Sequence, residues 1–297
     1  MKLVSFSDST RSYGVLDKDN VICLPTLAKT MEQHFPSSLE ALISQGIEEA
    51  SIEQLILNAT KTNLKKATFQ LSKIKLLPPI INPPKIICLG LNYKDHAAEQ
   101  GKNPPDEPVI FLKPHTTIVG PNEKIFKPNF VKQLDYEAEL AVVVGKEAKN
   151  VSVDNAKSRI FGYTILNDVS ARDIQFKDRQ WTRGKSFDTF APIGPCITTH
   201  NQLKNPTNLR VRTWVNNELR QNSITNNMML NVFEIVHHLS LVMTLEPCDI
   251  IATGTPAGVG FAMKPKPKFL QDGDVIEIEI EDIGVLRNKV VEEKNTL

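Results

Sequence analysis

Three carboxylates alternate along Asp135-Tyr136-Glu137-Ala138-Glu139, and the chain then runs into Leu140-Ala141-Val142-Val143-Val144-Gly145. As a β-strand this segment sends residues 135, 137 and 139 to one face. Carboxylates two residues apart sit roughly 6.5–7 Å apart at the backbone, so two can converge on one ion. Unpaired and dehydrated, they would repel one another. A divalent cation relieves both costs. A helix would instead pair Asp135 with Glu139 and turn Glu137 away. The valine run and Gly145 favour the strand. A solvated sheet edge has the same pattern, and the chain carries an example. In Val275-Ile276-Glu277-Ile278-Glu279-Ile280-Glu281 the acids alternate strictly with isoleucines. That is a strand with one wet face, and its glutamates are expected to meet solvent. The first run therefore needs a third ligand and a base nearby to count as a site.

Asp168 is the candidate third ligand. It follows the apolar Tyr163-Thr164-Ile165-Leu166-Asn167 and stands where a strand leaves the core,. With Glu137 and Glu139 it would complete an oxygen-only set suited to Mg2+, with Mn2+ or Ca2+ as alternatives. A turn-forming aspartate followed by a surface Arg172–Asp173 pair fits the same residues. His96 and Glu99 lie three apart in Asn92-Tyr93-Lys94-Asp95-His96-Ala97-Ala98-Glu99, hence on one helical face,. A carboxylate there can orient an imidazole and make it a better general base; a surface His–Glu pair has the same spacing. Lys185, in Gly184-Lys185-Ser186-Phe187-Asp188 after Arg179, Trp181 and Arg183, could neutralise a substrate carboxylate or a developing enolate,. The glycine spacing of a phosphate loop is absent there. Gly254-Thr255-Pro256-Ala257-Gly258-Val259-Gly260 offers backbone N–H groups and the Thr255 hydroxyl to a carboxylate,. No Gly-x-Ser-x-Gly elbow accompanies Ser170 or Ser186,.

These residues need a scaffold, and the chain is long enough to supply one. It has 297 residues, 41% hydrophobic and 23% charged, enough for a sizeable core,. A formal net charge of +1 leaves no footprint for nucleic acid or an anionic membrane,. No apolar run is long enough to span a bilayer. Met1–Phe6 reads as an opening strand, not a signal peptide, and Cys23, Cys88, Cys196 and Cys248 read as buried thiols in a reducing cytoplasm,.

Residues 1–77 are expected to form a small α+β unit. Its strands are Lys2–Phe6, Ser12–Leu16, Asn20–Leu24 and Leu71–Leu77. One helix follows Ser37, with Glu40 closing a capping box, and another runs from Ser51 to about Ala67,. Four prolines in residues 78–84 make a stiff linker,. Residues 85–297 are rich in strands, at Ile86–Leu89, Val109–Leu112, Glu137–Val144, Gly162–Asn167, Val211–Asn216, Asp249–Ala252 and Asp274–Glu281. Helices are expected near Tyr93–Gln100, Asp154–Ile160 and Val232–Leu241, and a hairpin turn at Asn216-Asn217,. The class is β-rich α+β with mixed sheets.

Taken in order, the motifs resemble the fumarylacetoacetate hydrolase superfamily. They are Gly90-Leu91-Asn92-Tyr93 with His96 and Glu99, Asp135 to Leu140, Asn167 to Asp173, Arg183 to Asp188, Thr253 to Pro256 and Gly258-Val259-Gly260. The likeness covers about residues 85–291. Within the family, Lys185–Pro195 and Lys264–Val291 look most like the branch called fumarylacetoacetate hydrolase domain-containing protein 2.

The resemblance implies a mixed β-barrel or β-roll C-terminal domain, a homodimer, and Mg2+ held by Glu137, Glu139 and Asp168. It further implies an acid–base dyad of His96 and Glu99, Lys185 beside the metal, and substrate contacts from Arg172, Gln175 and Thr255. The substrate class it implies is a 2-oxo acid, whose enolate the metal stabilises. Hydrolysis of an acylpyruvate C–C bond is the first expectation. Oxaloacetate tautomerisation or decarboxylation, isomerisation of a hydroxy-dienoate, and non-catalytic binding of a small acid are the alternatives.

Overall fold

The computed structural model describes residues 1–102, 107–178, 180–203 and 205–293; Arg179 lies outside them. Among the described residues, the strands form a large sheet of twelve, a second sheet of five and a separate pair. With short helices between the strands along the chain, this is the expected β-rich α+β class with mixed sheets.

The centre of the large sheet is built from strands with almost no polar face. Ala138–Val144 is buried throughout, as is nearly all of Ile160–Asn167, Ile250–Ala252 and Ile86–Gly90. Continuous apolar runs of this kind suit strands covered on both faces. Ala138–Val144 pairs antiparallel with Ile160–Asn167 on one side and with Ile250–Ala252 on the other. Ile250–Ala252 runs parallel to Ile86–Gly90, which pairs antiparallel with Val109–Lys113. These registers gather four strand ends at one edge of the sheet: Gly90, Asn167, Ala252 and the start of Ala138–Val144. The segments leaving those ends carry His96, Asp168, Thr255 and Glu137.

The second sheet packs on the first, with Arg210–Val215, Val275–Ile280 and Gly284–Glu292 against Ala138–Val144, Ile160–Asn167 and Ala191–Thr199. Its inward residues Ile276, Ile278 and Ile280 are buried. Its glutamates point the other way and pair with arginines: Glu277 with Arg287, Glu279 with Arg212 and Glu281 with Arg210. The wet face read from the sequence is thus laced by cross-strand ion pairs. Asn216 and Asn217 make the hairpin turn at φ of 50° and 66°, the left-handed region that asparagine tolerates.

The opening strands continue the large sheet. Lys2–Ser7 pairs antiparallel with Ala191–Thr199, and Arg11–Asp17 and Asn20–Cys23 extend it outward. Helical details differ from the sequence reading. Ser38, one residue after the expected start, caps Leu39–Ser44, while Glu40 pairs with Arg11 and accepts the Ile81 N–H. The expected long second helix is two, Glu49–Leu57 and Lys61–Ala67, because Thr60 and Asn63 form a capping box that starts a new one,. All four cysteines are buried and free. Among the described residues, no helix is long and apolar enough to cross a membrane.

Candidate active site

The run that opened the sequence reading splits in two. Leu134–Asp135 pairs with Ser170–Ala171, and Ala138–Val144 begins after a break at Tyr136 and Glu137. Glu137 is anchored in that break: its N–H donates to Asn167 Oδ1 at 3.0 Å, and its carbonyl accepts the Asp168 N–H at 2.9 Å. Oxygens of Glu137, Glu139 and Asp168 therefore lie within 4.8 Å of one another. All three residues are buried.

Asp135 does not join them. Its Oδ1 accepts N–H groups of Tyr136 (2.9 Å) and Gly260 (2.7 Å). Its Oδ2 accepts Phe261 N–H (3.1 Å) and Arg172 Nε (2.9 Å). The backbone break sends this first acid away from the face it was expected to share.

Buried cations answer the buried acids. Lys185 Nζ donates to Glu137 Oε2 at 2.5 Å and to Asp168 Oδ2 at 2.7 Å. Lys113 Nζ donates to Asp168 Oδ1 at 2.5 Å. Arg172 Nη2 forms an ion pair with Glu137 Oε1 at 2.7 Å without hydrogen-bond alignment, and among the described residues it has no hydrogen-bond partner. Arg172 Nη1 donates to Gln175 Oε1 at 2.9 Å.

The charges polarise the three carboxyls differently. Burial pushes Glu137 up, but Lys185 and Arg172, with His96 behind them, outweigh it and hold Glu137 far below the usual carboxylate range. Burial also raises Glu139, and there the charges of Asp168 and Glu137 add to it. Lys185 and the Gly254 N–H oppose this only in part, so Glu139 stands well above the ordinary value. Among the described residues its one hydrogen-bond donor is Gly254 N–H, at 2.8 Å. An oxygen-only donor set holding one under-compensated carboxylate fits a hard divalent cation.

The dyad forms as the spacing predicts. On the Lys94–Glu99 helix, His96 Nδ1 lies 2.6 Å from Glu99 Oε1. Its Nε2 lies 2.8 Å from Gln100 Nε2. An amide nitrogen only donates, so this placement of Gln100 makes Nε2 the acceptor and leaves the ring proton on Nδ1. Glu99 is held from behind by the Gly258 N–H at 2.9 Å.

His96, Glu137, Glu139, Arg172, Gln175, Lys185 and Thr255 all face one cavity of ≈ 80 Å³. Glu99 supports it through His96, and Asp168 through Lys185. The Thr255 hydroxyl accepts the Gln221 amide at 2.9 Å. A larger cavity, ≈ 580 Å³ between Ile43–Ala50 and Ile160–Phe161, holds no such convergence.

Three contributors escaped the sequence reading. Lys113 ends an edge strand before a proline and looks like a surface residue, yet it is 3% exposed. Phe261 lies with its ring 4.5 Å from the Arg172 guanidinium carbon and edge-on to His96. Trp181 packs edge-on against Phe111 and closes over Gly90, where a β-carbon would come within 2.0 Å of the indole. The glycine at 90 was the one available signal, since it marks a close approach.

Fold and site together define an enzyme class. Residues 85–291 match the family described as fumarylacetoacetate (FAA) hydrolase C-terminal, and the chain belongs to the fumarylacetoacetate hydrolase superfamily. Its relatives span three activities. A Xenopus laevis protein named oxaloacetate tautomerase fahd2, mitochondrial, is 40% identical over 298 residues, covering 98% of this chain and 90% of its own. The structure of a Mycobacterium marinum 2-hydroxyhepta-2,4-diene-1,7-dioate isomerase is 35% identical with a TM-score of 0.77, covering 99% of this chain and 100% of its own. A Sphingobium maleylpyruvate hydrolase, solved with manganese(II) and pyruvate, is 30% identical with a TM-score of 0.79 and the same coverage.

Proposed function

We propose that this protein is a divalent-metal-dependent enzyme acting on a short 2-oxo acid by moving a proton at the carbon beside the oxo group. The observation that carries this reading is His96, braced by Glu99, facing the same small cavity as Glu137 and Glu139, with Asp168 grouped beside those two carboxylates. Glu137, Glu139 and Asp168 would hold the cation, with Mg2+ our first choice and Mn2+ or Ca2+ as alternatives. When bound, the cation supplies positive charge that stabilises enolate-forming chemistry.

The chain's own groups do the rest. Arg172, whose Nη2 is ion-paired with Glu137 but makes no aligned hydrogen bond, takes the substrate carboxylate, and Gln175 and Thr255 help to orient it. Lys185 adds positive charge where negative charge grows on the 2-oxo oxygen. His96 Nε2 accepts the proton from carbon, and Glu99 stabilises the imidazolium formed at Nδ1. Returning that proton to the oxygen completes keto–enol exchange with no bond between heavy atoms broken.

Oxaloacetate tautomerisation is the reaction we favour. The Xenopus relative, 40% identical over 298 residues, is named for this reaction. Acylpyruvate hydrolysis, the first expectation from sequence, is the second reading, and the maleylpyruvate hydrolase neighbour favours it. A cytoplasmic homodimer belongs to the same proposal and rests on the free buried thiols and the family resemblance.

The dyad is tested by His96→Ala. It should abolish turnover of oxaloacetate enol while oxalate still binds in the presence of Mg2+. Equal loss of both would make His96 a binding or structural group and sink the proton-transfer role.

A further inference from the structure

Asp135 is fully buried, and its two oxygens take four donors from three parts of the chain. Two donors, the N–H groups of Gly260 and Phe261, belong to the glycine-rich loop after Ile250–Ala252. A third is Arg172 Nε. Its short strand pairs with Ser170–Ala171, so Asp135 lies opposite Ser170, two residues before Arg172. The same loop reaches the other half of the site. Gly258 N–H holds Glu99 Oε2, and the Phe261 ring lies over Arg172 and edge-on to His96. The close fit excludes side chains. A β-carbon at Gly260 would come within 2.6 Å of Asp135 Oδ1 and 2.3 Å of the Lys268 carbonyl.

We infer that Asp135 is a positioning residue: it fixes the Arg172 guanidinium at the cavity and clamps the 258–261 loop that carries Phe261 and supports Glu99. With four donors at hydrogen-bonding distance, Asp135 has no oxygen to spare for a cation. Its carboxylate charge matters at Arg172 Nε, where a neutral amide would hold the guanidinium less firmly or turn a donor toward it. The loss then appears in the affinity for the substrate carboxylate. This inference rests on the proposed contact between Arg172 and substrate.

The test is a double-mutant cycle of wild type, Asp135→Asn, Arg172→Met and the double variant. The readouts are KM and kcat for oxaloacetate with Mg2+, Kd for oxalate with Mg2+, and Kd for Mg2+ alone. One charge-assisted hydrogen bond corresponds to about ten- to a hundredfold in affinity. Asp135→Asn should therefore raise KM and the oxalate Kd by about that factor, with kcat changed less and Mg2+ affinity kept within about threefold. In the Arg172→Met background it should change the oxalate Kd by no more than about twofold, because the guanidinium it positions is gone, while its hold on the 258–261 loop and Glu99 acts on kcat.

The same loss in both backgrounds would overturn the inference, since a merely structural residue acts equally in each. If Asp135→Asn does not fold, Phe261→Leu carries the same cycle. Losing the ring must weaken oxalate binding when Arg172 is present and leave it unchanged in Arg172→Met. Oxalate binding without oxaloacetate turnover in wild type would overturn the functional reading alone and leave the Kd cycle to decide this one. No oxalate binding by wild type would overturn both.

Discussion

Lys113→Met removes a buried ammonium that no local pattern in the chain marks as a core residue. Its side chain is 0% exposed and donates to Asp168 Oδ1 at 2.5 Å, while Lys185 holds the other Asp168 oxygen at 2.7 Å. Methionine keeps most of the side-chain volume, so the change is chiefly electrostatic. Breaking a buried pair from one side costs about 3–5 kcal/mol. Asp168 keeps one cation, which puts the expected loss near the lower end, at about 3 kcal/mol. A large domain loses about 2 °C of Tm per kcal/mol, so the metal-stripped variant should melt roughly 6 °C below wild type. Mg2+ should then stabilise the variant more than wild type, because it meets less positive charge at the acidic cluster and binds more tightly. Thermal unfolding in EDTA and in saturating Mg2+ measures both effects. An EDTA Tm within about 1 °C of wild type, or equal Mg2+ gains in both proteins, would refute the charge-compensation argument.

Three further outcomes follow from the same geometry. Glu137→Gln should weaken Mg2+ binding by at least about tenfold, as expected for loss of a charged ligand, whereas Glu279→Gln should leave it unchanged; calorimetry showing the reverse would refute the distinction between the two acidic runs. Because burial, Asp168 and Glu137 raise the Glu139 carboxyl, its protonated form persists to higher pH, and a cation must displace that proton,. Mg2+ uptake should therefore release protons and tighten as pH rises toward the Glu139 pKa, then level off above it; binding heats independent of the buffer's ionisation enthalpy would contradict this. Gly90→Ala would place a β-carbon 2.0 Å from the Trp181 indole and should force the ring away, costing about 1–3 kcal/mol and red-shifting tryptophan emission; an unchanged Tm and spectrum would show that the wall yields at no cost.

Local periodicity made the central strands and the dyad legible. Apolar runs marked Ile86–Leu89, Glu137–Val144 and Gly162–Asn167, each within two residues of the strand observed, and the three-residue spacing of His96 and Glu99 needed only a helix to become a contact. Ala191–Thr199 was missed because Pro192, Gly194 and Pro195 argue against a strand,. Its neighbours supply what the prolines cannot: it pairs with Lys2–Ser7, Ile160–Asn167 and Ile118–Val119. Gly284–Glu292 was missed because its pattern mixes charges with valines, and pairing with Val275–Ile280 on one side and Lys124–Lys127 on the other makes it an interior strand. The site follows the same rule. Glu137, Glu139 and Asp168 converge through strand ends whose order the motifs imply, and Lys185 reaches them from the end of the short Thr182–Lys185 helix. Lys113, Phe261 and the clamp on Asp135 depend on contacts across more than 35 residues, which no local spacing encodes. Asp135 is the instructive case: a period-two reading put it beside Glu137, and one break at Tyr136 gave it a different task.

The most direct test of the account is an initial-rate panel on EDTA-stripped protein, with and without Mg2+. The substrates are oxaloacetate in its keto and enol forms, acetylpyruvate and fumarylpyruvate. Mg2+ should restore turnover, fastest for interconversion of the oxaloacetate tautomers. Mg2+-dependent C–C cleavage of an acylpyruvate with idle oxaloacetate would replace tautomerisation by hydrolysis. Full activity on any of these substrates without a divalent cation would contradict the assignment of Glu137, Glu139 and Asp168 as the heart of the site.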